Sequence, residues 1–317
     1  MQVTELMDQM ADIIIVGGGP AGLTAAIYTA RMGLKTLVVD GQMIGGRAAT
    51  APHVWNFPGF PDGITGVKLI DLMMKQTQKF QAELKYPDEV IELSLEDKMK
   101  KVVTRSGQYS SHSVILATGT QRKKLLVPGE EALVGRGVSY CPVCDGPLYR
   151  GLDVAVIGSG SEAFEDALHL ANLVSKVFAI TQSEEITAEQ ALFDEVKTIS
   201  NIEIIKGQVL TIQGEDLVTG LTYSLHSDGT DHNLPIDGVF IAVGSVPMTS
   251  LMKKAGISVD DKGCVTVNRR QETNLVGVYA AGDCTCGGMQ IITAAGEGAM
   301  AAMQAHRYIK SHKGKTK

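Results

Sequence analysis

The sequence is poor in aromatic residues, in cysteine and in positive charge. Aromatic side chains make up 5% of the chain, and 29 Lys and Arg face 35 Asp and Glu, which gives a net charge of −6. Because a phosphate backbone rewards clustered basic residues, this balance argues against nucleic-acid binding. No apolar run reaches the roughly 20 residues of a membrane-spanning helix. The acidic first residues predict no signal peptide.

Five cysteines in 317 residues are too few for the disulfide framework of a small secreted protein. We therefore expect a cytoplasmic protein. The length of the chain predicts two domains, because single hydrophobic cores seldom grow so large. Cys141 and Cys144 stand in CPVCDG. Such a C-x-x-C pair can close a small disulfide, bind a metal or exchange with a partner's disulfide, and these residues alone do not decide which.

A glycine-rich turn follows the β-branched run DIIIV and precedes apolar residues at helical spacing. Gly17, Gly19 and Gly22 have the G-x-G-x-x-G spacing, which gives a tight turn, close approach to a pyrophosphate and close packing of helix on strand. The helix N-terminus offers N–H groups and a positive dipole end to phosphates. Asp40 ends the next predicted strand, KTLVVD, and could accept a hydrogen bond from a ribose hydroxyl. This segment predicts a dinucleotide site.

A second unit of the same kind follows the cysteines in DVAVIGSGSEAFEDALHLANLVSKVFAI. Gly158, Gly160 and Ala163 occupy its glycine positions, so the duplication predicts a second nucleotide. Strands are predicted in NIEII, QVLTI, GLTYSLH and GVFIAVG, and helices over residues 66–84 and 293–309. EVIELSL and KKVVTRS predict a small antiparallel excursion.

The predicted fold class is α/β, with two Rossmann-like dinucleotide-binding domains of the three-layer ββα type, the second inserted into the first. The strand in VYAAGDC and the last helix return the chain to the first domain, which is therefore split in sequence. We predict that the first domain comprises residues 1–119 and 249–317 and the inserted domain residues 124–244. Hinges are predicted near residues 120–128 and 245–249.

Several motifs occur in a fixed order: GGGPAG, WNFPG, ATG followed by VPGE, CPVCDG, YAAGD and TAAGEGAMAA. Together they resemble the low-molecular-weight thioredoxin reductase family of flavoproteins over nearly the whole chain. The resemblance implies an FAD domain made of both chain ends, an inserted pyridine-nucleotide domain that carries the C-x-x-C, and a homodimer. It also implies that the inserted domain rotates about its two hinges.

The same resemblance implies roles for the site residues. Cys144 would receive electrons from the flavin, Cys141 would attack the disulfide of thioredoxin or a glutaredoxin-like redoxin, and Asp145 would exchange the proton. Asp145 can also be interpreted as a turn residue, because D-G is a common turn pair. The implied FAD contacts are Gly17, Gly19, Pro20, Ala21, Gly22, Asp40, Gly41, Gly45, Gly46, Arg47, Asn56, Ala117, Thr118, Gly119, Gly282, Asp283, Gln290 and Ile291.

The chain departs from the family in the inserted domain. Members that use NADPH carry a basic cluster after the second strand of this domain, where this chain reads TQSEEIT from Thr181 to Thr187. Glu162 replaces the usual Ser or Thr of the glycine turn. Because carboxylates repel phosphates, NADPH is predicted to be a poor donor, with NADH or a ferredoxin-type protein as alternatives. In the competing interpretation, Glu162 points into solvent and a Lys or Arg compensates.

Three further cysteines lie outside the family pattern. C-x-C is too short to assume a relaxed disulfide, so packing near the flavin is the favoured interpretation of Cys284 and Cys286, and a redox role is the alternative. Cys264, in the predicted strand KGCVTVN, has no partner in sequence and is expected to be buried. Two other functions remain open: a flavin-dependent dithiol oxidase that uses O2, and a zinc module of Cys141, Cys144, Cys284 and Cys286. The leading interpretation involves no metal.

Overall fold

The computed structural model describes residues 9–313. Contacts divide the chain into two compact units, one made of both chain ends, up to Gln121 and from Pro247, and one made of Arg122–Val246. Each unit contains a sheet with neighbouring parallel strands, together with helices, so the α/β class is confirmed. The chain crosses between the units at β9 (Thr120–Arg122) and β17 (Ser245–Pro247), which pair with each other.

The first unit is built on a five-stranded parallel sheet. Its spatial order is β18 (Val278–Ala280), β8 (Ser113–Leu116), β2 (Ile13–Val16), β3 (Thr36–Val39) and β4 (Glu83–Lys85). The first four strands are buried throughout, which explains their continuous apolar runs. A second sheet has the order β1 (Gln9–Met10), β7 (Gln108–Ser111), β6 (Lys100–Thr104) and β5 (Val90–Ser94). The pairing of β5 with β6 is antiparallel, as predicted.

Among residues 9–313, four α-helices belong to the first unit: α1 (Pro20–Arg31), α2 (Gly66–Lys79), α6 (Ser250–Lys254) and α7 (Ile291–Lys313). Alanines of α1 and α7 pack with the parallel sheet in one hydrophobic cluster. The predicted helix over residues 66–84 is too long, because Gln81 has a positive φ of 62° and Leu84 belongs to β4. Within residues 9–313 no helix combines the length and the apolar character that crossing a membrane requires.

The second unit contains a seven-stranded mixed sheet. Its order is β10 (Val138–Ser139), β16 (Gly238–Ile241), β11 (Asp153–Ile157), β12 (Lys176–Thr181), β13 (Ile202–Gly214), β14 (Val218–Leu225) and β15 (Asp231–Pro235). The helices are α3 (Pro142–Asp145), α4 (Ser161–Ala171) and α5 (Gln190–Thr198). The predicted strands NIEII and QVLTI form one strand, β13. Its first part pairs in parallel with β12, and its second part pairs antiparallel with β14.

Candidate active site

Most of the residues predicted to hold FAD follow four neighbouring parallel strands of the first unit. Residues 17–22 follow β2, residues 40–41 follow β3, residues 117–119 follow β8, and residues 282–283 follow β18. Because the carboxyl ends of parallel strands meet at one edge of a sheet, the fold brings these segments together. Such an edge is where open α/β sheets bind ligands.

The first glycine turn is shaped to receive an anion. Gly17 has a φ of 107°, and a Cβ there would lie 2.2 Å from the carbonyl oxygen of Ala117, so the turn needs glycine. At Gly19, by contrast, a Cβ would meet nothing closer than the carbonyl oxygen of Gly45, at 4.0 Å. Helix α1 starts here with Pro20, without a capping side chain and without an acid in its first turn. Its N–H groups and positive dipole end are therefore directed at the ligand position.

The Asp40 carboxylate lies against this turn. Its Oδ2 accepts a hydrogen bond from the Gly18 N–H at 2.7 Å, and its Oδ1 accepts one from the Gln42 N–H at 2.8 Å. Each carboxylate oxygen has a second lone pair that a ribose hydroxyl could use. The Gly45 N–H also donates to the Gly18 carbonyl, at 2.8 Å. The turn and the loop after β3 are thus fastened together.

Polar pairs from distant parts of the chain meet in the same unit. Asn56 Nδ2 donates to Gln290 Oε1 at 3.0 Å, and Arg47 Nη1 donates to Thr120 Oγ1 at 3.0 Å. Burial raises the pKa of Asp283, while the Arg47 guanidinium acts in the opposite direction. The predicted contacts Arg47, Asn56, Asp283 and Gln290 are therefore linked in two groups. With the open helix terminus and Asp40, they fit a dinucleotide such as FAD.

Sequence reasoning missed Glu297, an acid in the small-residue helix motif TAAGEGAMAA. Its Oε2 accepts hydrogen bonds from the Gly282 N–H at 2.7 Å and from Thr285 Oγ1 at 3.1 Å. Burial raises its pKa, and these two donors oppose that shift. Glu297 thereby holds the turn that carries Asp283. Its signal in the sequence was a carboxylate within an otherwise apolar helix face.

Cys141 and Cys144 form a disulfide with a Cα–Cα distance of 5.3 Å. Cys141 is partly buried and precedes α3, whereas Cys144 is exposed. The Cys144 N–H donates to Cys141 Sγ at 3.2 Å. A donor aimed at sulfur favours the thiolate over the thiol, so this contact would activate Cys141 after reduction.

Asp145 is held inside the cysteine loop. Ser139 Oγ donates to Asp145 Oδ2 at 2.6 Å and accepts a hydrogen bond from the Cys141 N–H at 2.9 Å. Asp145 is the last residue of α3 and is partly buried. One serine therefore connects this carboxyl group to the backbone of the cysteine that precedes the helix.

The second glycine turn differs from the first because an acidic side chain, paired with an arginine, lies beside it. Glu162 lies in the first turn of α4, and its Oε1 is 3.0 Å from Arg122 Nη2. Arg122 Nη1 also donates to Asp166 Oδ2 at 2.9 Å. Both Arg122 and Asp166 are largely buried, and burial raises the pKa of Asp166 to about 7 although Arg122 opposes the shift. An arginine, Arg122, does compensate Glu162, as the competing interpretation expected. The Glu162 side chain is only 27% exposed, however, so it does not simply point into solvent.

The segment after β12 is hydrogen-bonded to the same turn. The Ser183 N–H donates to Ser159 Oγ at 3.2 Å, and the Thr187 N–H donates to the Ser159 carbonyl at 2.9 Å. The Glu189 N–H donates to Ser161 Oγ at 3.0 Å. Residues 181–189 include no Lys or Arg, and Glu184 and Glu185 are exposed. The glycine turn is thus joined to an acidic segment.

The predictions for the remaining cysteines need correction. Cys264 and Cys286 form a disulfide with a Cα–Cα distance of 5.7 Å, so Cys264 has a partner and Cys286 is not a packing residue. Cys264 is buried, as expected, but its segment is no strand, because Val265 makes only an isolated bridge with Val259. Cys284 alone remains a buried thiol. The four thiolates of the zinc alternative are therefore not available, and residues 9–313 contain no other group of metal-binding side chains.

Two sheet units with glycine turns and a C-x-x-C disulfide define a dinucleotide-dependent oxidoreductase that acts on disulfides. The chain belongs to the pyridine nucleotide-disulphide oxidoreductase family, whose model matches residues 11–298. The thioredoxin reductase of Streptomyces clavuligerus is 41% identical over 308 residues, which span 96% of this chain and 95% of that protein.

Solved structures agree with this family. Lactococcus lactis thioredoxin reductase (FR conformation) has a TM-score of 0.91 and 32% identity, with coverage of 95% of this chain and 99% of that one. A ferredoxin-flavin thioredoxin reductase from Clostridium acetobutylicum has a TM-score of 0.53 and 30% identity, with coverage of 96% and 99%. The resemblance to low-molecular-weight thioredoxin reductases is confirmed. The protein is a flavoprotein oxidoreductase with two dinucleotide-binding domains of the Rossmann type.

Proposed function

We propose that this protein is an FAD-dependent reductase of a redoxin disulfide, with thioredoxin or a glutaredoxin-like protein as its partner and a homodimer as its working form. The observation that carries the proposal is the Cys141–Cys144 disulfide, with a backbone N–H on Cys141 Sγ and Asp145 held beside it. Relatives named thioredoxin reductase over nearly the whole chain support the choice of partner.

The chain's own residues divide the thiol chemistry. After reduction, the Cys141 thiolate attacks the partner's disulfide, and a mixed disulfide forms while one partner thiolate leaves. Cys144 then attacks Cys141 Sγ, which releases the second partner thiolate and restores the Cys141–Cys144 disulfide. Asp145 delivers a proton to a departing thiolate. Bound FAD supplies the two electrons that reduce this disulfide again.

The division of roles is tested with single-cysteine variants. The probe is thioredoxin with one active-site cysteine replaced and the other activated as a thionitrobenzoate disulfide. Cys144→Ser keeps Cys141 and should release thionitrobenzoate roughly tenfold faster than Cys141→Ser, because the N–H on Cys141 Sγ favours its thiolate. Both variants should retain FAD. A faster reaction of Cys141→Ser would reverse the two roles.

We further propose that NADPH is a poor electron donor and that NADH or a ferredoxin-type protein supplies the electrons. The supporting observation is the second glycine turn, where Glu162 is paired with Arg122 and where three backbone N–H groups of residues 183–189 donate hydrogen bonds to the turn. Glu162 lies in the first turn of α4, so its negative charge stands near the positive helix end where a pyrophosphate would bind. The ferredoxin alternative has a precedent in the name of one similar structure.

The donor is tested by anaerobic mixing with NADPH, NADH or reduced ferredoxin while flavin absorbance is followed. We expect slow bleaching by NADPH and fast bleaching by one of the other two. Rapid bleaching by NADPH at low concentration would refute this part of the proposal and leave the cysteine roles standing. Oxygen consumption with a dithiol substrate separates this function from the dithiol oxidase alternative.

A further inference from the structure

The Cys264–Cys286 disulfide joins a buried residue to an exposed one. Cys264 is 4% exposed and lies in the hydrophobic core of the first unit, whereas Cys286 is exposed. Thiol–disulfide exchange requires a thiolate to reach one of the two sulfur atoms. An incoming thiolate can therefore attack Cys286, and Cys264 is the leaving group.

The two cysteines are also held differently by their surroundings. The Cys264 N–H donates to Asp260 Oδ1 at 2.8 Å, and its carbonyl accepts from the Asp260 N–H at 2.9 Å. Cys286 follows a short 3-10 turn, Asp283–Thr285, and its N–H donates to the Asp283 carbonyl at 3.1 Å. Its φ is 59°, a left-handed value that costs a non-glycine residue energy unless its surroundings hold it. The disulfide fastens a strained residue to a fixed one.

The third thiol of this region does not compete. Cys284 Sγ donates to the carbonyl oxygens of Ala281 at 3.4 Å and Leu116 at 3.6 Å, and the side chain is fully buried. Burial also raises its pKa to about 12, so its thiolate is rare near neutral pH. Cys284 therefore neither attacks the disulfide nor reacts with reagents in solution, and exchange is confined to Cys264 and Cys286.

We propose that Cys264–Cys286 is a second thiol–disulfide exchange site, which takes a dithiol such as a reduced redoxin. One thiolate of the dithiol attacks Cys286 Sγ, the Cys264–Cys286 bond breaks, and the Cys264 thiolate leaves and takes a proton. The second thiol of the dithiol then attacks the mixed disulfide and releases Cys286 as a thiol. Two electrons pass to this cysteine pair, and the dithiol is oxidised to a disulfide.

Reduction of this site changes the loop that connects β18 to α7. Without its bond to Cys264, the segment from Cys286 to Gln290 is held by fewer constraints, and it includes Met289, also at a left-handed φ of 55°. This segment begins shortly after Asp283 and ends at Gln290, and both of these residues are predicted to contact FAD. The choice of a redoxin as the dithiol and the effect on FAD contacts rest on the proposed function, whereas the exchange reaction itself does not.

The exchange is tested in a Cys141→Ser/Cys144→Ser background, in which the proposed redoxin reaction cannot occur. The folded protein is incubated with dithiothreitol, its thiols are alkylated, and peptides are mapped by mass spectrometry. We expect Cys264 and Cys286 to become labelled together under native conditions and to re-form their disulfide with oxidised dithiothreitol. Labelling of this pair only after unfolding would overturn the proposal.

Backbone hydrogen exchange tests whether reduction releases the loop. If the loop kept the same structure after reduction, its amide exchange rates would not change. Reduction should raise the exchange rates of amides in residues 286–290 by roughly tenfold and leave those of β2 and β8 unchanged. Unchanged rates over residues 286–290 would contradict the release of the loop.

Two further variants test which sulfur is attacked. In Cys264→Ser the exposed Cys286 should react with dithionitrobenzoate roughly tenfold faster than the buried Cys264 reacts in Cys286→Ser. Equal rates, or a faster Cys264, would overturn the assignment of Cys286 as the attacked sulfur. If either variant fails to fold, the labelling of the Cys141→Ser/Cys144→Ser protein still decides.

Discussion

The two glycine turns of this chain have the same backbone plan and different surroundings. Gly17 and Gly158 each lie close to the residue that follows a neighbouring strand. A Cβ at either glycine would lie 2.2 Å from a carbonyl oxygen, that of Ala117 or Ala242 respectively. The helices that follow the two glycine turns differ. Helix α1 has no acidic residue in its first helical turn, whereas α4 has Glu162 there. The glycine spacing fixes the shape of a dinucleotide site, and we expect the neighbouring charges to decide whether an anion is bound there.

The largest effect is expected when a methyl group is added at the glycine nearest the ligand in each turn. Gly19→Ala meets no protein atom closer than 4.0 Å, so the fold should persist. The methyl should instead clash with the pyrophosphate and weaken FAD binding roughly 10- to 100-fold, as expected for about 1–3 kcal/mol of overpacking. Flavin content and FAD titration of the apoprotein measure this effect.

The matched variant in the second turn is Gly160→Ala, where the nearest atom is Thr187 Oγ1 at 3.6 Å. Its flavin content should be unchanged, and its rate of redoxin reduction should fall only if NADH is the donor, because a ferredoxin-type donor needs no pyrophosphate in this turn. A similar loss of activity in Gly160→Ala, with its circular dichroism unchanged, would show that the two turns both bind dinucleotides.

A smaller effect is expected from Glu162→Thr, which removes the carboxylate at the start of α4. Arg122 remains beside Asp166, and the free helix end can accept a phosphate. The kcat/KM with NADPH should rise by roughly tenfold, because one like-charge repulsion is lost. Asp194→Asn removes an exposed acid of α5 and serves as the control for net charge. An unchanged value in Glu162→Thr would mean that Glu162 does not set the donor preference.

The smallest effect concerns stability and pH in the second unit. The pKa of Asp166 is raised from 3.8 to about 7, so the folded state binds its proton more tightly than the unfolded state does. Asp166 therefore lowers stability as the pH rises from 3.8 to about 7, by at most about 1.4 kcal/mol per pH unit.

This pH dependence is measured by the protection of β11 and β12 amides against hydrogen exchange, corrected for the intrinsic effect of pH. Asp166→Asn should flatten the dependence whatever its absolute stability. An equal slope in the variant and the wild type would mean that Asp166 stays ionised in the folded protein.

Local sequence patterns predicted much of the fold. The buried strands β2, β3, β8 and β11 and the helices after both glycine turns follow from apolar runs and glycine spacing. The order of motifs also identified the family. Errors arose where tertiary pairing decides. Strand β13 passes through Gly207 without a break because two different neighbours pair with its two parts.

The missed site features are contacts between residues far apart in the chain. Nothing near Glu162 in sequence points to Arg122, which precedes the cysteine motif. The disulfide joins Cys264 to Cys286, which lies 22 residues further along the chain, and a count of cysteines does not give connectivity. Glu297 acts through backbone groups of a turn that the sequence does not place beside it.

The most direct test of the difference between the two turns is calorimetric titration of the oxidised, FAD-loaded protein with NADP+. We expect the wild-type protein to bind NADP+ no more tightly than about 1 mM, whereas Glu162→Thr should bind it measurably more tightly. A wild-type Kd in the low micromolar range would contradict it, because the second turn would then accept a phosphorylated dinucleotide despite Glu162 and the acidic segment beside it.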